Sequence, residues 1–121
     1  MPPTPSLPPH DLHILIAVLD EPRHGYGIIQ DVAARSGGET RLGTSTVYAA
    51  LKRMLAARLI AETARPAQAG SEDERRRYYR ATPLGREVAR AAARDIDRLH
   101  TLVREARLLG RPRAPAARSR S

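Results

Sequence analysis

A long series of regularly spaced apolar residues near the C-terminus constrains this chain more than any other feature. Apolar side chains recur every three or four positions over about 25 residues, as on one face of a helix, with arginines and acids on the other face. Thr82 and Pro83 precede the series as an N-cap and a first helical residue. A chain of 121 residues forms one small core, which cannot cover so long a stripe. The sequence therefore predicts a homodimer held through Val88, Ala92, Ile96, Leu99, Val103 and Ala106. The open alternative is that the stripe packs on its own domain.

The N-terminal third predicts two helices behind a proline-rich arm. Residues 1–9 contain five prolines, which favour an extended arm. Asp11 is predicted to cap a first helix that is apolar on two faces and stops near residue 20. A second, shorter helix is predicted over residues 25–35, with Tyr26 turned inward.

A third helix and a β-hairpin follow. The helix begins around Gly43 to Thr46, where Thr44 or Ser45 is predicted to cap it, and it buries a stripe of Val47, Ala50, Leu51, Met54 and Leu55. A brief strand is predicted over residues 39–42, and residues 60–65 and 76–81 predict the hairpin, with Tyr79 inward and Tyr78 the more exposed of the pair.

These elements predict a mainly α fold with a small β-hairpin, namely a winged helix-turn-helix followed by a dimerisation helix. The predicted division of the chain is a flexible arm at 1–9, a winged helix-turn-helix domain at 10–82, the dimerisation helix at 83–109 and a disordered basic tail at 110–121.

The charge of the chain favours a polyanionic partner. The formal net charge is +8, and 20 of the 21 basic residues are arginine. Residues 41–80 hold nine bases and four acids, whereas residues 1–40 hold two bases and five acids. A basic block inside the folded region is the electrostatic signature of nucleic-acid binding.

Several other classes of function find no support in the sequence. The chain has no cysteine, which excludes disulfides, thiolate metal sites and thiol catalysis and fits a cytoplasmic location. His10 and His13 share a helix face, but no third ligand lies near them, so no metal site is predicted. No apolar segment is long enough to span a bilayer, and we find no catalytic constellation and no cofactor motif. The chain is therefore predicted not to be an enzyme and to need no cofactor.

The polar residues of the third helix and of the hairpin are the predicted DNA contacts. Hydroxyls and backbone amides at the helix start suit phosphates or base edges, longer side chains further along suit the major groove, and arginines on the returning strand suit the adjacent backbone. The predicted contact residues are Thr44, Ser45, Thr46, Tyr48, Lys52, Arg53, Arg75, Arg76 and Arg77. The arginines after Glu74 have an alternative role, as part of a solvated charge cluster.

The order of motifs resembles the PadR family of bacterial transcriptional regulators, in its shorter subgroup with a single terminal helix. The matching segments are HGYGI at 24–28, TVYAALKRM at 46–54, LI at 59–60 and RYYRATPLGR at 77–86. The resemblance implies a homodimer built through the C-terminal helix, binding to a palindromic operator in double-stranded DNA, and repression relieved by a small-molecule effector. We place that effector near the junction of the first and last helices, because the first helix is apolar on two faces.

The chain departs from the family pattern at several positions. Thr44 and Ser45 stand where the family commonly has proline and glycine, and Ala49 stands where it has proline. Arg58 replaces a usual glycine, and Ala81 replaces a usual leucine. The chain has no tryptophan or phenylalanine, so an aromatic effector slot between subunits is not carried over.

Two other functions remain open from the sequence alone. One is a protein that coats nucleic acid without regard to sequence, which the basic tail and high charge favour. The other is a winged-helix adaptor that uses its apolar helix for a different protein. Preference for one DNA sequence over random duplex separates a regulator from a coating protein.

Overall fold

The computed structural model describes residues 7–64 and 76–110 of the chain. The elements in chain order are α1 (Pro9–Ala17), β1 (Arg23–His24), α2 (Gly25–Arg35), α3 (Thr44–Ala56), β2 (Ile60–Thr63), β3 (Tyr78–Ala81) and α4 (Pro83–Glu105). The predicted fold class, a helical winged helix-turn-helix with a small sheet and a long final helix, is confirmed.

The sheet has three antiparallel strands in the order β1, β3, β2. β2 and β3 form the predicted hairpin, in which Ile60 pairs with Ala81 and Thr63 with Tyr78. The predicted strand at residues 39–42 is wrong, because that segment is a connection that contributes Leu42 to the core. The third strand is instead β1, whose two residues are too few to produce a periodic pattern in the sequence.

The core lies where α1, α2 and α3 meet the inner side of the sheet. Nine large side chains are less than 2 % exposed, and complete burial of each contributes about 1.5–3 kcal/mol to folding. They are Ile14, Leu15, Val18, Ile28, Val32, Val47, Leu51, Met54 and Ile60. The stripe predicted for α3 is confirmed, with Leu55 partly buried at its edge.

Two predictions about tyrosines are wrong. Tyr26 is 55 % exposed, because α2 turns Gly25 and Ile28 inward and leaves Tyr26 on its outer side. Tyr78 and Tyr79 are each only 5 % exposed. The expected alternation of buried and exposed side chains fails at this pair because β1 pairs alongside β3 and covers Tyr78. The centroids of the His24 and Tyr78 rings are 5.3 Å apart, in an edge-on arrangement.

The helix starts agree only in part with the sequence predictions. Thr82 caps α4 as predicted, its hydroxyl accepting a hydrogen bond from the Gly85 amide at 3.0 Å. Asp11 is not an N-cap, because α1 begins two residues earlier at Pro9 and Asp11 lies buried in its first turn. Neither Thr44 nor Ser45 caps α3. That helix begins at Thr44 itself, after Gly43, and has no side-chain cap.

Three helices end by turning through the left-handed region of φ. The turning residues are Gly37 after α2, Arg58 after α3 and Arg107 after α4. After α3, the Leu59 amide then donates back to the Met54 carbonyl at 2.9 Å, which completes a Schellman motif. Glycine adopts this conformation without the steric cost that a β-carbon adds. Arg58, with a φ of 62°, therefore carries strain that the family's usual glycine does not.

We predict that Arg58→Gly stabilises the protein by about 0.5–1 kcal/mol, because it relieves that strain. Urea unfolding followed by circular dichroism measures the change. The matched control is Ala57→Gly, one residue earlier in right-handed backbone with a φ of −84°, which should destabilise the fold by a similar amount. Destabilisation by both variants would contradict the prediction.

The C-terminal end of α1 is a meeting point for the other elements. The Arg23 Nε donates to the Ala17 carbonyl at 2.7 Å, the Ala81 amide donates to the Val18 carbonyl at 3.2 Å, and Arg86 donates to the carbonyl of Leu19. These carbonyls would otherwise lack partners at a helix end. Strand β1, strand β3 and helix α4 are thereby fixed to one point. Among the described residues, no helix has the length and apolarity to cross a membrane.

Candidate nucleic-acid interface

Helix α3 presents a polar surface to solvent. Its buried stripe fixes the rotation of the helix, so the residues between the stripe positions point outward. All six contact residues predicted on this helix are exposed, namely Thr44, Ser45, Thr46, Tyr48, Lys52 and Arg53. We call this surface the α3 outer face. It offers hydroxyls at the helix start and cations toward the helix end, an arrangement that suits a DNA groove.

Tyr48 connects the α3 outer face to the start of α2. A β-carbon at Gly25 would lie 2.4 Å from the Tyr48 Oη, so the ring rests directly on the glycine. Tyr48 nevertheless remains 47 % exposed. The absence of a side chain at Gly25 is what allows α2 and the Tyr48 ring to approach so closely. In the sequence, Gly25 is visible only as part of a family motif, because contact between residues 23 positions apart leaves no periodic signal.

Arg53 is held by an acid on another helix. Its Nη2 donates to the Asp11 Oδ1 at 3.1 Å. The Asp11 side chain is 7 % exposed and the Arg53 side chain is 56 % exposed. The pair therefore has a buried anion at its base and a cation that reaches the α3 outer face.

The loop end of the hairpin, where β3 begins, gathers charged and aromatic groups beside the start of α2. The Arg76 guanidinium lies 5.9 Å from the centroid of the exposed Tyr26 ring, and its Nη1 is 3.0 Å from His24 Nε2. The His24 Nδ1 accepts the Gly27 amide at 2.9 Å and so caps α2. Tyr26 was missed as a surface residue because the sequence pattern assigned its ring to the core. The one available signal was that Gly25 and Ile28, three residues apart, can share the buried face of α2 and leave Tyr26 outside it.

The other two hairpin arginines differ from Arg76. Arg77 pairs across the hairpin with Glu62, Nη1 to Oε2 at 3.2 Å, and both side chains are largely exposed. An exposed pair of this kind is weak, so a phosphate can compete for the arginine. Arg75 lies outside the described residues.

Beneath these side chains Tyr79 is a packing residue. Burial, and then electrostatic interaction with Glu62 and Tyr48, raise the pKa of its phenol, and Arg77 opposes the shift. The ring therefore stays neutral at physiological pH and supports the sheet. It contributes no charge to the surface above it.

The apolar stripe of α4 is only partly covered. Val88 is 8 % exposed and belongs to the core of its own chain, whereas Ile96 is 55 % exposed and Leu99 is 60 % exposed. Ala106 follows the last helical residue, because α4 ends at Glu105 rather than near residue 109. The other predicted stripe residues, Ala92 and Val103, are half-buried.

A groove of about 520 Å³ runs between α1 and α4. Its lining is mainly apolar and also includes charges of both signs, from Arg86, Arg90 and Asp97. The apolar lining residues are Leu12, Ile16, Leu19, Ala89, Ala93 and Ile96. This is the junction where the sequence predicted an effector. Within residues 7–64 and 76–110, no three histidines or acids come together as metal ligands would.

Comparisons with known proteins place this geometry in context. Residues 14–91 match the transcriptional regulator PadR-like family. Among sequences, the chain is 37 % identical over 86 residues to an uncharacterized 37.1 kDa protein in a transposon of Streptomyces fradiae; the match covers 71 % of this chain but only 22 % of that protein.

Solved structures share the fold. A PadR family transcription regulator from Clostridium difficile is 25 % identical with a TM-score of 0.65, over 78 % of this chain and 94 % of that one. A PadR-like transcriptional regulator from Bacillus cereus is 24 % identical with a TM-score of 0.68, over 84 % of this chain and 92 % of that one.

Proposed function

Because this chain belongs to the PadR-like family of transcriptional regulators, we propose that it is a cytoplasmic homodimer that recognises a palindromic operator in double-stranded DNA and represses transcription from it. The family is one of regulators rather than enzymes. The observation that carries the proposal is the outward presentation of the α3 outer face, with its hydroxyls, Tyr48 and two cations, opposite the buried stripe that holds the helix in place.

In the proposed complex α3 enters the major groove. Thr44, Ser45 and Thr46 provide hydroxyls and unpaired amides at the helix start, which suit phosphates and base edges. Lys52 and Arg53 extend along the groove. Arg76 and Arg77 immediately precede β3, at the loop end of the hairpin, and are proposed to contact the neighbouring DNA backbone as the wing of this fold does. Arg75 is proposed with them on its sequence position alone.

Dimerisation is proposed through α4. The helix is 23 residues long, and its outer half exposes Ile96 and Leu99 with no covering element among the described residues. Contiguous exposed apolar patches are typical of protein interfaces. Val88 and Ala92 support the helix on its own domain, while Ile96, Leu99 and Val103 form the proposed contact with the second copy. Two α3 outer faces about one helical turn of DNA apart would then read two half-sites.

Relief of repression by a small molecule is proposed at the groove between α1 and α4. Its volume lies in the range of small-ligand pockets, and its lining is mainly apolar. A ligand there contacts both the helix that carries the dimer interface and a helix that packs against α3. It changes operator affinity only if the two conformations of the dimer bind it differently.

The experiment is selection of bound duplexes from a random DNA pool, followed by competition between the selected duplex and random duplex. We expect a preference of about a thousandfold or more, and a steep fall of affinity with salt because several phosphates are neutralised. Lys52→Ala should lower affinity for both duplexes by a similar factor and reduce the salt slope by about one.

Arg94→Ala is the matched control, since it removes the same charge from the exposed side of α4. It should leave the salt slope unchanged. Equal affinity for selected and random duplex would reject a sequence-specific regulator in favour of a coating protein. If Lys52→Ala leaves the salt dependence of DNA affinity unchanged, the assignment of α3 as the groove-binding helix is rejected.

A further inference from the structure

We propose that Asp11 is a positioning residue for Arg53, and that the anchored Arg53 is a base-reading, specificity-determining side chain of α3. This inference rests on the proposed function, because it assigns a role within the same DNA-binding surface. It concerns an acid on α1 that the sequence suggested only as a helix cap. The observation behind it is the ion pair between a buried carboxylate and an exposed guanidinium 42 residues away.

Arg53 occupies the DNA-facing side of its helix. Thr46, Ala49 and Arg53 follow one another at helical spacing, and all three are exposed. One nitrogen of the Arg53 guanidinium donates to Asp11, while more than half of the side chain remains accessible. The anchor therefore fixes the position of the planar group and leaves other N–H donors available to a ligand.

A fixed guanidinium suits a base edge better than a phosphate. Arginine recognises guanine through two parallel hydrogen bonds to O6 and N7, which demands a defined plane and distance. A phosphate contact tolerates a mobile cation, because it depends mainly on charge. Anchoring by Asp11 removes rotamer freedom before DNA arrives, so less entropy is lost on binding. The cost is a negative charge placed near the DNA backbone.

That cost separates positioning from two simpler roles. If Asp11 only neutralised Arg53, its removal would strengthen binding to every DNA sequence, because an acid near the phosphates would be gone. If Asp11 only stabilised α1 through its place in the first turn of that helix, its removal would lower stability but not sequence preference. Positioning alone predicts that the preference for the selected duplex falls.

The decisive experiment measures the affinity of Asp11→Asn for the selected duplex and for random duplex at one salt concentration. Asparagine keeps the size of the side chain and a carbonyl acceptor, but it loses the charge that holds the guanidinium. We expect affinity for the selected duplex to fall about tenfold while affinity for random duplex stays the same or rises, so the specificity ratio falls at least tenfold. In an Arg53→Ala background, the same Asp11 substitution should leave the ratio unchanged.

Asp31→Asn is the matched control. Asp31 is also a poorly exposed acid paired with arginines, at 12 % side-chain exposure, but its partners, Arg23 and Arg35, do not belong to the α3 outer face. Its substitution should leave the specificity ratio at the wild-type value. The thermal midpoint of each variant is recorded alongside, so that a loss of fold is not mistaken for a loss of specificity.

Arg53→Lys is a second variant that tests the same inference if Asp11→Asn does not fold. Lysine retains the charge but not the planar pair of donors, so we expect random-duplex affinity to persist and the ratio to fall about tenfold. The inference is overturned if Asp11→Asn tightens binding to both duplexes equally, or if Arg53→Lys retains the full ratio. A wild-type protein without any preference would instead reject the proposed function itself, which is a separate outcome.

Discussion

Leu99→Asp is expected to convert the protein to a monomer and to lower its operator affinity by about a hundredfold or more. Leu99 is 60 % exposed on the outer half of α4, so an acid there costs the isolated chain little. At a dimer interface the same acid is buried without a partner in both copies, which is strongly unfavourable. In a dimer, binding of one copy to its half-site holds the second copy near the other half-site and raises the overall affinity. A monomer loses this gain.

Analytical ultracentrifugation and a DNA-binding titration measure the two effects together. Thr101→Asp is the matched control, because it adds the same charge to the same helix on the opposite side, where Thr101 is also exposed. It should remain dimeric and bind the operator nearly as well as the unmodified protein. A Leu99→Asp protein that is still a dimer would show that the apolar half of α4 serves another purpose.

Gly85→Ala is expected to destabilise the protein by about 3 kcal/mol, the second large effect. A β-carbon at Gly85 would lie 2.0 Å from the Leu59 carbonyl oxygen and 2.9 Å from its carbon, and neither atom belongs to a side chain that can move away. The same oxygen accepts the Thr82 amide at 3.0 Å. Making room for one methyl group therefore moves the start of α4 away from Leu59 and weakens the hydrogen bond that joins them.

Gly27→Ala is a close control for that substitution. Gly27 also lies three residues after a capping side chain and donates its amide to it, here His24. The nearest atoms to a new β-carbon belong to the His24 ring at 3.4 Å or more, which is ordinary contact. Because alanine favours helix over glycine, Gly27→Ala should be neutral or stabilising by up to about 1 kcal/mol. Thermal or urea unfolding compares the two variants, and equal midpoints would contradict the prediction.

Sequence patterns were sufficient wherever a periodic signal or a strong local rule applied. The stripe of α3 predicted which side of that helix is exposed, because one helical period decides the position of every residue on it. Thr82 followed by proline predicted the start of α4 because a helix cap is a local rule, whose hydrogen bonds lie within one turn. The class of fold followed from the order of such elements.

Contacts between distant segments were beyond the reach of those patterns. Asp11 resembled a cap because capping is a local rule, yet its partner, Arg53, comes from another helix. Tyr26 resembled a core residue because it is spaced with Ile29 and Val32 as on one apolar helix face, although the adjacent Gly25 takes the inward position. The strand β1 was missed because two residues form it only by pairing with β3, which lies more than 50 positions further along.

A single residue, Thr82, separates β3 from α4. Because this connection is so short, the directions in which the α4 side chains point are tied to the register of β3. One inserted residue would rotate α4 by about 100° and carry its outward leucines a quarter turn or more from their present direction. An insertion or deletion at this connection is therefore expected to turn the exposed leucines away from a partner helix and so to weaken pairing between two copies.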